Sequence, residues 1–175
     1  MAEYNNFYLQ RMGTTPLNAA YPVMDSVENF HVWCKDIPFQ VYGKVKEPAK
    51  RAWYDEHGDD EYISGSGLFM EAYTMTVELG CRAKDTVEQN VVTSTAKENV
   101  KGYVKTFLDY LRTAGMMKIY SAHTLIGRQN VRLESVSDKA TWQQGEDGYW
   151  FLIFEVTFKV NDPVTDVTLS YTPSS

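Results

Sequence analysis

The chain has 175 residues, of which 43% are hydrophobic and 23% charged, as in an ordinary globular protein of one domain. Aromatic residues make up 14%, and because aromatic side chains favour strands, this composition favours β structure. The formal net charge of −6 argues against nucleic-acid binding, which requires clustered Lys and Arg side chains to neutralise phosphates.

Residues 1–38 contain three prolines and no sustained periodicity, so the sequence predicts an irregular N-terminal arm with at most one short strand at 6–9. Such an arm is expected to wrap its own domain or a neighbour. The chain begins without the basic and apolar pattern of a signal peptide, and no apolar stretch reaches the 18 residues of a membrane helix. We therefore expect a protein that is made in the cytoplasm and does not enter a membrane.

A single β-rich domain is predicted over residues 39–171, followed by a short tail at 172–175. Apolar residues alternate with polar ones at 39–45 and at 69–81, and each pattern predicts a strand. A long loop at 47–67 separates the two strands.

The long loop combines two adjacent aromatic residues with five carboxylates at positions 55–61. Exposed aromatic side chains commonly mark contact surfaces, so we predict an interaction site here, the alternative being that the aromatic side chains fold back on their own domain. The order of the acidic residues does not match a calcium-binding loop, which favours a solvated acidic loop over a cation site. The predicted interaction residues are Trp53, Tyr54, Asp55, His57, Asp59 and Asp60.

One convincing helix follows the second strand. Thr95 and Glu98 match a capping box, and apolar residues then recur at spacings of three and four up to Gly115. This pattern predicts a helix over 96–114 that lays an apolar face on the sheet. The residues predicted to form that face are Val100, Val104, Phe107, Leu108 and Leu111.

The rest of the chain returns to β patterns. Strands are predicted at 117–122 and 128–136, the strongest one at 150–160, and a short last strand at 164–171. Strands on both sides of one helix predict an α+β fold, namely a β-sandwich or open barrel with one main helix packed against it.

No residue pattern for catalysis was found, so we expect no enzyme and no cofactor. The three histidines are isolated, and no zinc-ligand spacing or nucleophile elbow is present. Cys34 and Cys81 lie 47 positions apart and are expected to be buried free thiols, with a disulfide as the alternative.

The order of motifs over about residues 39–165 resembles that of phage and prophage tail proteins. The segment 48–62 is similar to their Trp-x-x-x-x-Gly-acidic element. A strand, a helix ending Phe-Leu-x-Tyr-Leu at 107–111, a Gly-Arg-x-x-x-Arg-Leu run at 127–133 and Asn-Asp-Pro at 161–163 follow in the same order. The resemblance is to distal tail or baseplate-hub proteins and, more distantly, to tail-tube and tail-terminator proteins.

The resemblance implies a structural subunit of the virion tail, assembled in the bacterial host cytoplasm. It implies a tail-tube-like sandwich or barrel, six copies of which form a ring that contacts adjacent tail proteins and lets DNA pass without specific binding. Those proteins carry no catalytic residues, and the loop 47–67 is expected to reach a neighbouring subunit. Hub proteins often carry a large second domain, and its absence here leaves room for a tube or terminator position. The alternatives are an adaptor module of another secretion or contractile apparatus and, further behind, a small-ligand-binding protein or an enzyme.

Overall fold

The computed structural model describes residues 4–137 and 140–173. Residues 1–3 of the predicted N-terminal arm and residues 174–175 of the predicted tail lie outside the described residues. Two helices are present, α1 (Ser26–Phe30) and α2 (Ala96–Ala114), together with a short 3₁₀ turn at Glu146–Gly148. The strands are β1 (Tyr8–Arg11), β2 (Val23–Asp25), β3 (Val32–Cys34), β4 (Lys50–Arg51), β5 (Asp60–Glu61), β6 (Tyr73–Ala83), β7 (Thr86–Glu88), β8 (Val91–Ser94), β9 (Met117–Ser121), β10 (Ile126–Val136), β11 (Thr141–Gln144) and β12 (Trp150–Val160).

One curled antiparallel sheet forms a half-barrel with the order β2-β1-β9-β10-β12-β6-β3, and β11 pairs with the free part of β12. Its centre is the pair β6–β12, which stays in register from Tyr73 opposite Val160 to Ala83 opposite Trp150. Along both strands alternate residues are buried, as expected when one face of a strand packs on a core and the other meets water. The chain is thus mostly β with one main helix, and the predicted α+β class is confirmed at this level.

Helix α2 covers the concave core and has the predicted bounds. The Thr95 hydroxyl accepts from the Glu98 N–H at 3.3 Å, and the Glu98 carboxylate accepts from the Thr95 N–H at 2.9 Å, which completes the capping box. Leu111 is fully buried as predicted, whereas Val104 and Leu108 are only half-buried at the edge of the packed face. The deepest helix side chains are Val100, Phe107 and Leu111.

The prediction of an irregular N-terminal arm is wrong for the described part of residues 1–38. Strand β1 pairs with both β2 and β9, and β3 forms one edge of the sheet beside β6. Side chains from this segment lie inside the core, including Phe7, Leu9 and Phe30. The strands are only three or four residues long, so they show no readable alternation and depend on longer partner strands for their stability.

Two other predicted strands, at 39–45 and 164–171, are also absent from the structure. Val41 is exposed, so the alternation at 39–45 has no buried face, and only an isolated bridge joins Val45 to Met70. The segment after β12 runs as coil across the sheet, where the Val167 N–H donates to the Gly127 oxygen at 3.2 Å and Leu169 is buried. Burial of apolar side chains and single hydrogen bonds hold this segment on the sheet. Its apolar residues therefore give the sequence pattern of a strand although the backbone forms no ladder of hydrogen bonds.

Candidate interaction site

The loop 47–67 is an arm that projects from the sheet. At its base, the Lys46 N–H donates to the Phe69 oxygen at 2.7 Å and the Glu71 N–H donates to the Lys44 oxygen at 2.8 Å. Further out, β4 and β5 pair as a two-residue ladder. We refer to residues 47–67 as the arm.

The two predicted aromatic residues lie at the outer end of the arm. Trp53 is 46% exposed, and the Arg51 guanidinium lies 4.6 Å from the centre of its ring. Tyr54 is fully exposed. Full exposure of Tyr54 excludes the alternative that both aromatic side chains fold back on the domain, and the Arg51 side chain, which belongs to the arm itself, lies against Trp53.

The predicted acidic residues surround these aromatics and are all exposed. Asp59 lies 3.5 Å from the Lys50 ammonium, and Asp60 lies 4.0 Å from the Arg51 guanidinium. Exposed ion pairs of this kind contribute little to stability, so they shape the arm without holding it rigidly. Within the described residues, Asp55 and His57 have no ion pair and point their charge or ring to solvent.

The shortest ion pair of the arm joins Glu47 to Lys50. The Lys50 ammonium lies 2.8 Å from the Glu47 carboxylate, and the hydrogen bond from Lys50 lowers the pKa of Glu47 while the same contact raises the pKa of Lys50. Both side chains are largely exposed, so the pair adds little to stability. In the described part of the chain, no group of three or more His, Cys, Asp or Glu side chains is arranged to hold a metal ion.

Sequence reasoning missed the apolar side chains at the base of the arm. Tyr62, Ile63, Leu68 and Phe69 are all at least half exposed and line a cavity of about 410 Å³. Their signal in the sequence is weak, because Ser and Gly residues at 64–67 separate them and conceal any periodicity. Apolar side chains that share one surface in this way add to the contact surface indicated by Trp53 and Tyr54.

A second surface, also missed, runs along the outer side of α2. We refer to the channel between Val104, Leu108 and Leu152 as the helix groove; its volume is about 600 Å³. Lys101 and Lys105 form its rim together with the residues Gly102 and Asp109. The Lys105 ammonium donates to the Asp109 carboxylate at 2.8 Å, and this hydrogen bond lowers the pKa of Asp109.

Lysines extend beyond the groove toward the start of α2. The Lys97 ammonium lies 4.2 Å from the ring centre of Trp150 and 5.5 Å from that of Trp142, so it is held over aromatic faces by cation–π attraction. Lys97, Lys101 and Lys105 are spaced by four residues and therefore share one helix face. That spacing is the signal by which sequence reasoning could have found this surface.

The two cysteines are free and buried, as the sequence predicted. They lie on the adjacent strands β3 and β6, where Val32 pairs with Cys81 and Cys34 pairs with Leu79. Burial raises the pKa of each thiol to about 12, so both stay protonated near neutral pH and are unsuited to nucleophilic chemistry.

Among the described residues, no helix combines the length and apolar character required to cross a membrane. Comparisons of the chain with protein-family models, with curated proteins and with solved structures found no match.

Proposed function

We propose that this chain is a structural subunit of a phage-type tail that assembles with copies of itself into a ring around the DNA channel, at a distal-tail, tube or terminator position. The observation that carries the proposal is the concentration of exposed apolar side chains on and beside the arm. Of the sixteen large hydrophobic side chains found exposed among the described residues, eight lie between positions 41 and 69. Exposed apolar surface of this extent is typical of a surface that is covered by a partner.

The form of the sheet supports assembly. The half-barrel ends at two edge strands, β2 and β3, and a bridge between Asn5 and Cys34 covers part of the outer edge of β3. Backbone groups left unpaired at the edge of a sheet invite pairing with other chains. Closure of several copies into a ring is one way to cover such edges in a defined manner. A curled sheet with one helix on it is compatible with the β-sandwich or barrel flanked by a helix that the resemblance to tail proteins implies.

The charge of the chain suits a DNA channel. Six copies with a net charge of −6 each would carry −36 in total. A negative wall repels the phosphate backbone, so DNA passes without being bound.

Size-exclusion chromatography with light scattering tests the proposal. Six subunits of 20.0 kDa would give a particle of about 120 kDa, and negative-stain images should contain rings with a central channel. Trp53→Ala with Tyr54→Ala should shift the particle toward single subunits, because these two side chains offer the largest aromatic contact on the arm.

The matched control removes equally exposed apolar side chains outside the arm. Leu17→Ala with Leu125→Ala alters two exposed leucines and should leave the particle intact. A wild-type chain that stays monomeric at every concentration reached would overturn the proposed self-assembly.

A further inference from the structure

We propose that the arm of one copy docks in the helix groove of the next copy. This inference rests on the proposed function and names the surfaces through which the copies would meet. Both surfaces belong to the described part of the chain, and they carry opposite charge and complementary apolar chemistry.

The polar contacts of the arm are made within the arm, so its outer end is available for docking. In the described part of the chain, each hydrogen bond and ion pair of residues 47–67 joins two residues of that same segment. The outer end therefore presents Trp53 and Tyr54, with the carboxylates of Asp55 and Glu56 beside them, to whatever lies opposite.

The helix groove matches that outer end in chemistry. Its lining includes Val104, Leu108 and Leu152, which offer an apolar surface to an aromatic ring. Lys101 and Lys105 also line it, and their ammonium groups suit carboxylates that flank an aromatic side chain.

The charges of the two surfaces are opposite. The arm contains six carboxylates (Glu47, Asp55, Glu56, Asp59, Asp60 and Glu61) and two cations (Lys50 and Arg51), which gives a net charge of −4 with His57 neutral. The helix surface carries three lysines at 97, 101 and 105 against one carboxylate at 109, a net charge of +2. Since the whole chain is acidic, this lysine stripe is a place where an acidic arm meets attraction instead of repulsion.

The arm and the groove are different patches of the same molecule, so their contact is head-to-tail. A head-to-tail contact leaves one free arm and one free groove at the ends of any open chain of copies, and it closes into a ring when the rotation between copies allows. The contact therefore also explains how identical chains reach a closed assembly.

A mixing experiment tests the contact. The arm variant is Trp53→Ala with Tyr54→Ala, and the groove variant is Lys101→Glu with Lys105→Glu; Glu and Lys have similar helix propensities, so α2 should remain folded. Each variant alone should need roughly tenfold higher concentration or more to assemble. Mixed in equal amounts, they should form dimers, because the intact arm of the groove variant fits the intact groove of the arm variant and neither chain can extend further.

Reversed charges provide the rescue. A chain that combines Asp55→Lys and Glu56→Lys with the groove variant should assemble again, because the signs on both surfaces are exchanged. Asp55 and Glu56 suit this exchange, since the ion pairs inside the arm use other carboxylates. The control, Lys35→Glu with Lys159→Glu, changes the total charge as much as the groove variant does, at two lysines that lie outside both surfaces.

The outcomes separate this inference from the proposed function. Rings formed by wild type and by the groove variant at the same concentration would overturn the arm-in-groove contact and leave self-assembly standing. Loss of assembly in the Lys35 and Lys159 control to the same degree would overturn it as well, by showing that only total charge matters. A wild-type chain that never assembles would overturn the proposed function itself, and the inference with it.

Discussion

Phe107 on α2 joins the N-terminal segment to the rest of the core, so its truncation tests the packing directly. Its ring is fully buried and meets the ring of Phe7 edge-on with centres 6.2 Å apart and that of Phe30 with centres 5.5 Å apart. Phe107→Ala should lower the free energy of unfolding by about 3–5 kcal/mol, since it leaves a cavity and removes both ring contacts.

A loss of about 4 kcal/mol with a urea slope near 2 kcal/mol/M moves the unfolding midpoint down by about 2 M. The assay is urea denaturation followed by far-UV circular dichroism, at low protein concentration, because the proposed assembly of copies would itself stabilise the folded state. Thr106→Ala, an exposed neighbour on the same helix, serves as the control and should change stability by less than about 1 kcal/mol.

A double-mutant cycle with Phe30→Ala separates the contact between the two rings from general cavity formation. The coupling energy between Phe30 and Phe107 should be about 0.5–1.5 kcal/mol, the value expected for an edge-to-face aromatic pair. Purely additive effects, or a loss below about 1 kcal/mol for Phe107→Ala, would show that residues 4–38 do not pack against α2 as described.

Three further changes test the helix and the thiols. Leu111→Ala should cost about 2–5 kcal/mol and Leu108→Ala clearly less, because only Leu111 is fully buried; equal losses in urea unfolding would contradict this difference. Thr95→Ala should cost about 1 kcal/mol through loss of the cap, measured in the same way. The raised pKa of the Cys34 and Cys81 thiols, about 12 against an ordinary 9.0, contributes stability that is complete below pH 9 and is lost up to pH 12, because only the unfolded chain deprotonates in this window. Replacing both cysteines by alanine should reduce the alkaline loss of unfolding free energy, and an unchanged pH dependence would show that the thiols are not shielded.

Most of the elements predicted correctly from the sequence are long ones with a strict period, and the five-residue strand β9 is a short one that was also predicted. Strands β6 and β12 have eleven residues each, and alternation over that length distinguishes a sheet face from chance. The helix was identified from its capping box, its apolar spacing and Gly115, which are local signals that do not depend on the rest of the fold.

The elements that were missed depend on partners far away in the chain. Strands β1 and β3 have four and three residues, and they are strands because β9 and β6 supply the hydrogen bonds and the core covers their inner side chains. The segment 39–45 shows the opposite case. Its apolar and polar residues alternate in the sequence, but it pairs with a neighbouring segment through an isolated bridge and not through a strand ladder. Short elements of both kinds are decided by tertiary context.

One part of the candidate site, the arm, could be predicted from the sequence, and the other part, the helix groove, could not. The arm was predicted because its aromatic and acidic residues are contiguous in the sequence. The helix groove needs Leu152 on β12 to lie beside Val104 and Leu108 on α2, a juxtaposition that the sequence conceals. The apolar spacing of the helix predicts that Val104 and Leu108 are fully buried. They are only half-buried because they line the groove.

The distribution of charge over the surface determines how two copies attract or repel each other, which the net charge of −6 alone does not show. Identical chains with a charge of −6 repel one another on average, and this repulsion opposes any assembly that brings them close. Three lysines on one face of α2 reverse the sign locally, so attraction depends on orientation and only an approach that places an acidic arm over this face is favoured. In the proposed assembly, such orientation-dependent attraction against a repulsive background would favour one register of copies over irregular aggregation.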